Sequence, residues 1–192
     1  MTPRNYTVGR LEPSTWDAFR DLVERNHGIY GGCWCAPNHM EYQRGVSDPR
    51  TLKEALVRSG RAHAAMVFDS DGRAQGWCQY GGAATLALKH TREYRKAPPP
   101  PAAWRIACVF VDRHHRGDGV ARLAVEGALA QIADQGGGLV EAISETTAGR
   151  AAQSRFLFSA TVELLEDLGF ARVRQVGLHA WIMNRHVAPS TG

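Results

Sequence analysis

The segment from Trp104 to Ser144 constrains the fold more than any other part of the chain. Trp104-Arg105-Ile106-Ala107-Cys108-Val109-Phe110-Val111 is almost unbroken in its apolar character and rich in residues that favour extended backbone, so it reads as a strand buried on both faces. From Gly119 to Gln135 the apolar residues Val120, Leu123, Ala124, Ala128 and Ile132 recur at helical spacing, and Gly136-Gly137-Gly138 ends the pattern. Leu139 to Ser144 then resumes as a strand. Strand, helix and strand in this order predict a right-handed βαβ unit, which requires a parallel pair inside the sheet.

The remaining elements arrange themselves around that unit. Tyr6 to Arg10 reads as a first strand, and Ser14 with Asp17 as the start of a helix that turns Trp16, Phe19, Leu22 and Val23 inward. Pro49 and Thr51 open a second helix with Leu52, Ala55 and Leu56 inward. Ala64 to Phe68 and Ala74 to Tyr80 flank Asp69-Ser70-Asp71-Gly72-Arg73, a turn composition that predicts an antiparallel hairpin. A last helix over Ser159 to Leu168 stops at Gly169, and Ala171 to Val176 with His179 to Asn184 supply two closing strands. Two stretches fall outside this regular order. Residues 26–48 form a loop decorated with aromatic and small residues, and residues 81–103 form a polar excursion ending in Pro98 to Pro101, read as an insertion or lid. No internal repeat or second core is visible, so one domain over residues 1–192 is expected.

Composition narrows the functional classes. A net charge of +4 is only mildly basic, and the positive residues are scattered rather than gathered into a stripe with interleaved aromatics, which argues against nucleic acid as the partner. No run approaches the about 18 apolar residues of a membrane span, and the first residues lack the pattern of an export signal, so a cytoplasmic chain away from membranes is expected. In that compartment Cys33, Cys35, Cys78 and Cys108 read as free thiols.

The chemistry concentrates where the buried strand meets its helix. Backbone amides at a helix start are unsatisfied and lie at the positive end of the dipole, so Arg116-Gly117-Asp118-Gly119-Val120-Ala121 is suited to an anion of phosphate size, with Arg113, His114 and His115 adding positive potential. The plain alternative is a tight strand-to-helix turn. The segment lacks the lysine of a nucleoside-triphosphate loop and the third glycine of a dinucleotide fingerprint. Val109-Phe110-Val111, four further residues, then Arg116 to Ala121 resembles motif A of the GNAT acetyltransferases, whose pattern is Gln/Arg-x-x-Gly-x-Gly/Ala. Thr161 to Phe170 resembles the family's last helix, which ends in a Gly-Phe pair before a closing hairpin.

The resemblance implies a GNAT fold of α/β (α+β) class: a mixed sheet of about six to seven strands with splayed parallel central strands, flanked by about four helices. It implies acetyl-coenzyme A as co-substrate, with Val109, Phe110 and Val111 pairing with the pantetheine amides and Arg116, Gly117, Asp118, Gly119, Val120 and Ala121 receiving the pyrophosphate. The acceptor would be a primary amine of a small molecule or peptide, and the family's frequent dimers make a homodimer an expectation. Glu141 occupies the place of a catalytic glutamate in the ribosomal-protein N-terminal acetyltransferases and is the candidate base. Other family members carry a base where this chain has Arg105.

The tyrosine that often serves as general acid in the last helix is replaced by Leu165, leaving Tyr30, Ser159 or a water as substitutes, or a thiolate that leaves unprotonated. That absence keeps open a second reading, a GNAT-like module that binds acyl-coenzyme A without turning it over. Tyr30, Trp34 and His39 fall where the family places its acceptor loop, and are expected to line the acceptor pocket, Trp34 alternatively being a core anchor. Cys33, Cys35, His39 and His27 resemble a zinc set only loosely, and no metal is assigned.

Overall fold

The structure, a computed structural model, describes residues 5–28, 32–147 and 159–191. Seven strands form one sheet: β1 (Thr7–Arg10), β2 (His63–Phe68), β3 (Ala74–Gly82), β4 (Trp104–Val111), β5 (Gly138–Glu145), β6 (Ala171–Gln175) and β7 (Ala180–Val187), in the order β1-β2-β3-β4-β5-β7-β6. Every neighbouring pair is antiparallel except β4 and β5, which are parallel as the βαβ pattern requires. Five α-helices lie among the described residues: α1 (Trp16–Arg25), α2 (Pro49–Arg58), α3 (Thr91–Lys96), α4 (Val120–Asp134) and α5 (Val162–Asp167).

The two faces of the sheet carry different cores. On one, α4 and α5 bury Val120, Ala124, Ala128, Ile132 and Leu165 against Val67, Tyr80, Ile106, Val109, Val140 and Met183. On the other, Trp16, Phe19 and Leu22 of α1 and Leu56 and Val57 of α2 pack on Met66, Trp77, Cys108 and Phe110, and a smaller cluster joins Ile143, Val176, Ala180 and Ile182 to Leu88 and Tyr94. Strand β4 changes phase between these layers. Ile106 and Val109 face α4 while Cys108 and Phe110 face α1, because Gln79 pairs with Cys108 and Tyr80 with Ile106, leaving Ala107 as an extra residue. Such a bulge bends the strand and reverses its facing parity.

Three expectations about the helices need correction. The first helix starts at Trp16 after a 3₁₀ turn over Pro13–Thr15, closed by the Glu12 N–H donating to Thr15 Oγ1 (2.9 Å) rather than by Ser14 and Asp17. In α2 the inward face is Lys53, Leu56 and Val57, and Ala55 is exposed; a lysine at an inward position hides the true phase of the periodicity. A fifth helix, α3, lies within the stretch read as a polar excursion. It ends at Lys96, ahead of the proline run, and is too short to persist on propensity alone. Its last carbonyls are satisfied from β6, where Arg174 Nη2 donates to the carbonyls of Glu93 (3.0 Å), Tyr94 (3.2 Å) and Ala97 (2.9 Å).

The excursion is also stitched to the preceding loop. His39 bridges to Leu86, the Ala87 N–H donates to the Asn38 carbonyl (2.8 Å), and the Met40 N–H to that of Thr85 (3.2 Å). No described helix is long and apolar enough to cross a membrane.

Candidate active site

The parallel pair opens almost as soon as it forms. Trp104 pairs with Val140, Arg105 with Glu141 and Ile106 with Ala142, and the ladder stops there. Beyond Ile106, β4 keeps β3 on one side, and β5 keeps β7, but the two central strands no longer bond to each other. The bulge at Ala107 coincides with this divergence. Backbone groups that a flat sheet would have consumed face the gap instead, and side chains meet some of them: Lys89 Nζ donates to the Ala107 carbonyl (3.1 Å) and Ser159 Oγ to that of Ile143 (2.8 Å). Ala87, Lys89, Arg105, Ile106, Ala107 and Ile143 line a small pocket at the opening. Val109, Phe110 and Val111 continue β4 past it.

The turn that follows is anchored from below and open above. Asp112 accepts from the His114 N–H, Arg25 Nε and Asn26 Nδ2, each at 3.0 Å. Burial pushes its carboxyl pKa up, but those hydrogen bonds and the Arg25 charge outweigh burial and hold it at about 2. A 3₁₀ turn over Arg113–His115 leads into Arg116, after which Gly117 (φ +85°) and Gly119 (φ +82°) adopt left-handed backbone that a side chain would strain. No neighbour among the described residues lies within 4 Å of where a Cβ would project at either glycine. Gly119 is the N-cap of α4, and among the described residues no side chain caps the helix, which leaves the amides of its first turn without a side-chain partner of that kind. The side chains of two assigned residues are engaged within the protein. The Val120 side chain is buried in the core, and Asp118 Oδ2 accepts from the Tyr6 hydroxyl (3.2 Å), which also meets His115 Nδ1 (2.8 Å).

Glu141 lies inside the protein. It is 2% exposed, its Oε1 pairs with Arg105 Nε (3.0 Å), and its Oε2 accepts from the Tyr94 hydroxyl (2.6 Å). Arg105 Nη1 is held in turn by the carbonyls of Ala83 (2.7 Å) and Leu86 (2.8 Å), so the buried charges are paired and hydrogen-bonded as burial demands. Desolvation, followed by the bond to Glu141 and its negative charge, pushes the Tyr94 hydroxyl up to about 12. Sequence reasoning missed Tyr94 because it is one aromatic among charged residues in a segment without visible periodicity, and it treated Arg105 only as a base that is absent.

The loop of residues 26–48 departs further from expectation. Trp34 is 8% exposed, stacks on Trp16 (6.0 Å between ring centroids) and carries the Arg50 guanidinium over its face (5.5 Å). It is a core anchor, not the wall of an open acceptor pocket. His39 is 3% exposed, and its Nε2 lies 2.8 Å from Gln79 Nε2 and 3.1 Å from Lys53 Nζ. Both neighbours are donors, so that nitrogen accepts and the ring is neutral. Burial first, then the Lys53 charge, lowers the His39 pKa to about 3. A ring so enclosed does not face an acceptor. Tyr30 lies outside the described residues.

Cys35 Sγ is 2.9 Å from Cys108 Sγ, and that contact, with burial, pushes the Cys35 thiol up, away from the thiolate a nucleophile requires. No three metal-capable side chains converge among the described residues.

No family profile and no curated protein matches the sequence. Solved structures match along nearly the whole chain. A mosquito arylalkylamine N-acetyltransferase like 5b aligns with a TM-score of 0.59 at 11% identity, over 95% of this chain and all of that one (100%). The ribosomal-protein-S18-alanine N-acetyltransferase of Escherichia coli aligns at 0.53 and 14%, covering 97% of each chain. A GCN5-related N-acetyltransferase from Kribbella flavida aligns at 0.52 and 18%, covering 94% of this chain and 97% of that one. The chain has the GNAT fold.

Proposed function

We propose that the protein is an N-acyltransferase that moves an acetyl group from acetyl-coenzyme A to a primary amine of a small molecule or a peptide. The observation that carries the reading is the opening of β4 from β5 after Ile106, on the strand that leads into a glycine-turned helix start with no side-chain cap among the described residues. A ligand with amides along a flexible arm and a pyrophosphate at one end matches both features. The arm extends the sheet by pairing with the main chain of Val109, Phe110 and Val111, as an added strand would. The pyrophosphate meets the amides of Arg116 to Ala121 and the Arg116 guanidinium.

In this reading the thioester lies at the pocket beside Ala107 and Ile143, where the incoming amine attacks its carbonyl carbon. Glu141, facing Arg105 across the ladder just before the opening, is the base for the amine proton. Neither Trp34 nor His39 enters the mechanism; both serve the core.

Calorimetric titration with acetyl-coenzyme A tests the proposal, with Gly119→Glu as the control. Binding by the wild type that Gly119→Glu abolishes supports it. Equal binding by both would remove the turn from the site, and no binding by the wild type would leave the fold without this function. Binding without thiol release across a broad panel of amines would favour the non-catalytic module.

A further inference from the structure

We propose that Tyr94 is a catalytic residue that relays the amine proton to Glu141, an inference that rests on the acetyl-transfer reading. Glu141 is sealed: Arg105 occupies one oxygen and the Tyr94 hydroxyl the other, so a proton bound for the carboxylate comes by way of the phenol, since a guanidinium does not take one up. The segment that carries Tyr94 also supplies Ala87 and Lys89 to the pocket, and the Tyr94 ring packs on the cluster that contains Ile143, another lining residue. Arg174 fixes the main chain at Glu93, Tyr94 and Ala97, which holds the phenol in place without drawing on its hydroxyl. The position in α5 that could have offered a phenol is Leu165, whose side chain is buried in the core.

The neutral amine nitrogen forms a bond to the thioester carbon; its proton passes to the Tyr94 oxygen as the Tyr94 proton passes to Glu141 Oε2, leaving a neutral carboxyl. The C–S electron pair departs with the thiolate. The proton then returns from Glu141 through Tyr94 to sulfur, giving amide and thiol with both side chains restored. Arg105 tolerates the momentary loss of its counter-charge because the Ala83 and Leu86 carbonyls still accept from its other nitrogen.

Tyr94→Phe, Glu141→Gln and the double variant separate this relay from a structural bond. Each is titrated with acetyl-coenzyme A by calorimetry and assayed for thiol release with a panel of primary amines that includes hydroxylamine. The expected result is unchanged Kd in all three, kcat lowered about 10²- to 10⁴-fold in each single variant, and no further loss in the double, since both remove one proton path. A Tyr94→Phe variant as fast as wild type, or losses that multiply in the double, overturns the relay while leaving the acetyl-transfer reading intact. Absence of acetyl-coenzyme A binding by the wild type overturns that reading instead. Difference absorbance gives a second readout on the unmutated protein: acetyl-coenzyme A should perturb a tyrosine band that Tyr94→Phe loses, and a band that persists in the variant counts against the relay.

Discussion

Replacing Lys53 by methionine should stabilise the protein at neutral pH, an unusual direction for a buried position. Lys53 is 1% exposed on the inner face of α2, with His39 Nε2 at 3.1 Å and the Phe19 ring 5.8 Å away, and no carboxylate pairs with it among the described residues. Burial is the largest cause lowering its pKa from 10.5 to about 8, with Cys35, Cys108 and Cys33 acting in the opposite direction. The gap corresponds to about 3 kcal/mol. Because the folded pKa lies below the unfolded one, the unfolded chain binds more protons between about pH 8 and 10.5, and stability rises with pH across that window. Below it the penalty for a buried ammonium is present in full. Methionine has a similar length and needs no solvation, and His39 keeps Gln79 as a donor, so the variant should gain on the order of 1–3 kcal/mol at pH 7. Denaturant melts of both proteins from pH 7 to 10.5 measure this. Their difference, which cancels the thiols and tyrosines common to both, should shrink toward zero as pH rises. A variant less stable than wild type at pH 7, with a difference independent of pH, would refute the argument and mean that Lys53 is compensated in the fold.

Other outcomes follow from the same geometry. Gly119→Ala, forced to φ +82°, should cost about 1 kcal/mol in melts and weaken acetyl-coenzyme A binding far less than Gly119→Glu does. Asp112→Asn should cost on the order of 1–2 kcal/mol at pH 7; because the folded pKa of about 2 lies below the ordinary 3.8, this contribution is present above pH 3.8 and lost as pH falls through 2, which acid titration of stability in the two proteins would show. Arg174→Ala should lower kcat and leave Kd for acetyl-coenzyme A unchanged, since it frees the carbonyls that hold Tyr94 but touches neither β4 nor the turn. Acyl chains longer than acetyl should lose kcat/KM in a graded series, because the pocket at the opening is small and Arg105, which lines it, is held in place by Glu141.

What could be read from the sequence was whatever local pattern encodes. The Trp104 to Val111 run, the glycines at 117 and 119 and the α4 periodicity carry their own signals, and with them came the parallel pair and the helix start. The bulge at Ala107 has no such signal, since alanine suits either phase of a strand; it is set by how β3 and the two cores divide the side chains. Lys53 and His39 were invisible as a pair because each is ordinarily a surface residue, and nothing in the local pattern brings α2 to the loop that carries His39. Trp34 was placed by analogy with an acceptor loop, whereas its contacts come from α1 and α2, which local pattern does not reveal. Glu141 stood out in the sequence as a candidate, but its partners did not: Arg105 is on an adjacent strand and Tyr94 on a helix whose stability depends on Arg174, about eighty residues away in sequence.

That dependence changes how residues 81–103 are understood. A lid would be joined to the body at its ends and carry its own surface between them. Here Ala83 and Leu86 offer carbonyls to the buried guanidinium of Arg105, Lys89 reaches the carbonyl at the bulge, and Tyr94 completes the coordination of Glu141. Removing the segment would leave a guanidinium and a carboxylate facing each other with several of their hydrogen-bonding sites unmet at the edge of the opening, a costly arrangement in a core. The ion pair and the segment therefore require each other. A chain with an uncharged residue at position 105 would be free to vary the segment, and one that keeps Arg105 is bound to keep the carbonyls of Ala83 and Leu86 within reach. Deleting Leu88 to Ala97 should consequently destabilise the Arg105→Met, Glu141→Leu double variant less than it destabilises the wild type, because only the wild type has buried charges for the segment to satisfy.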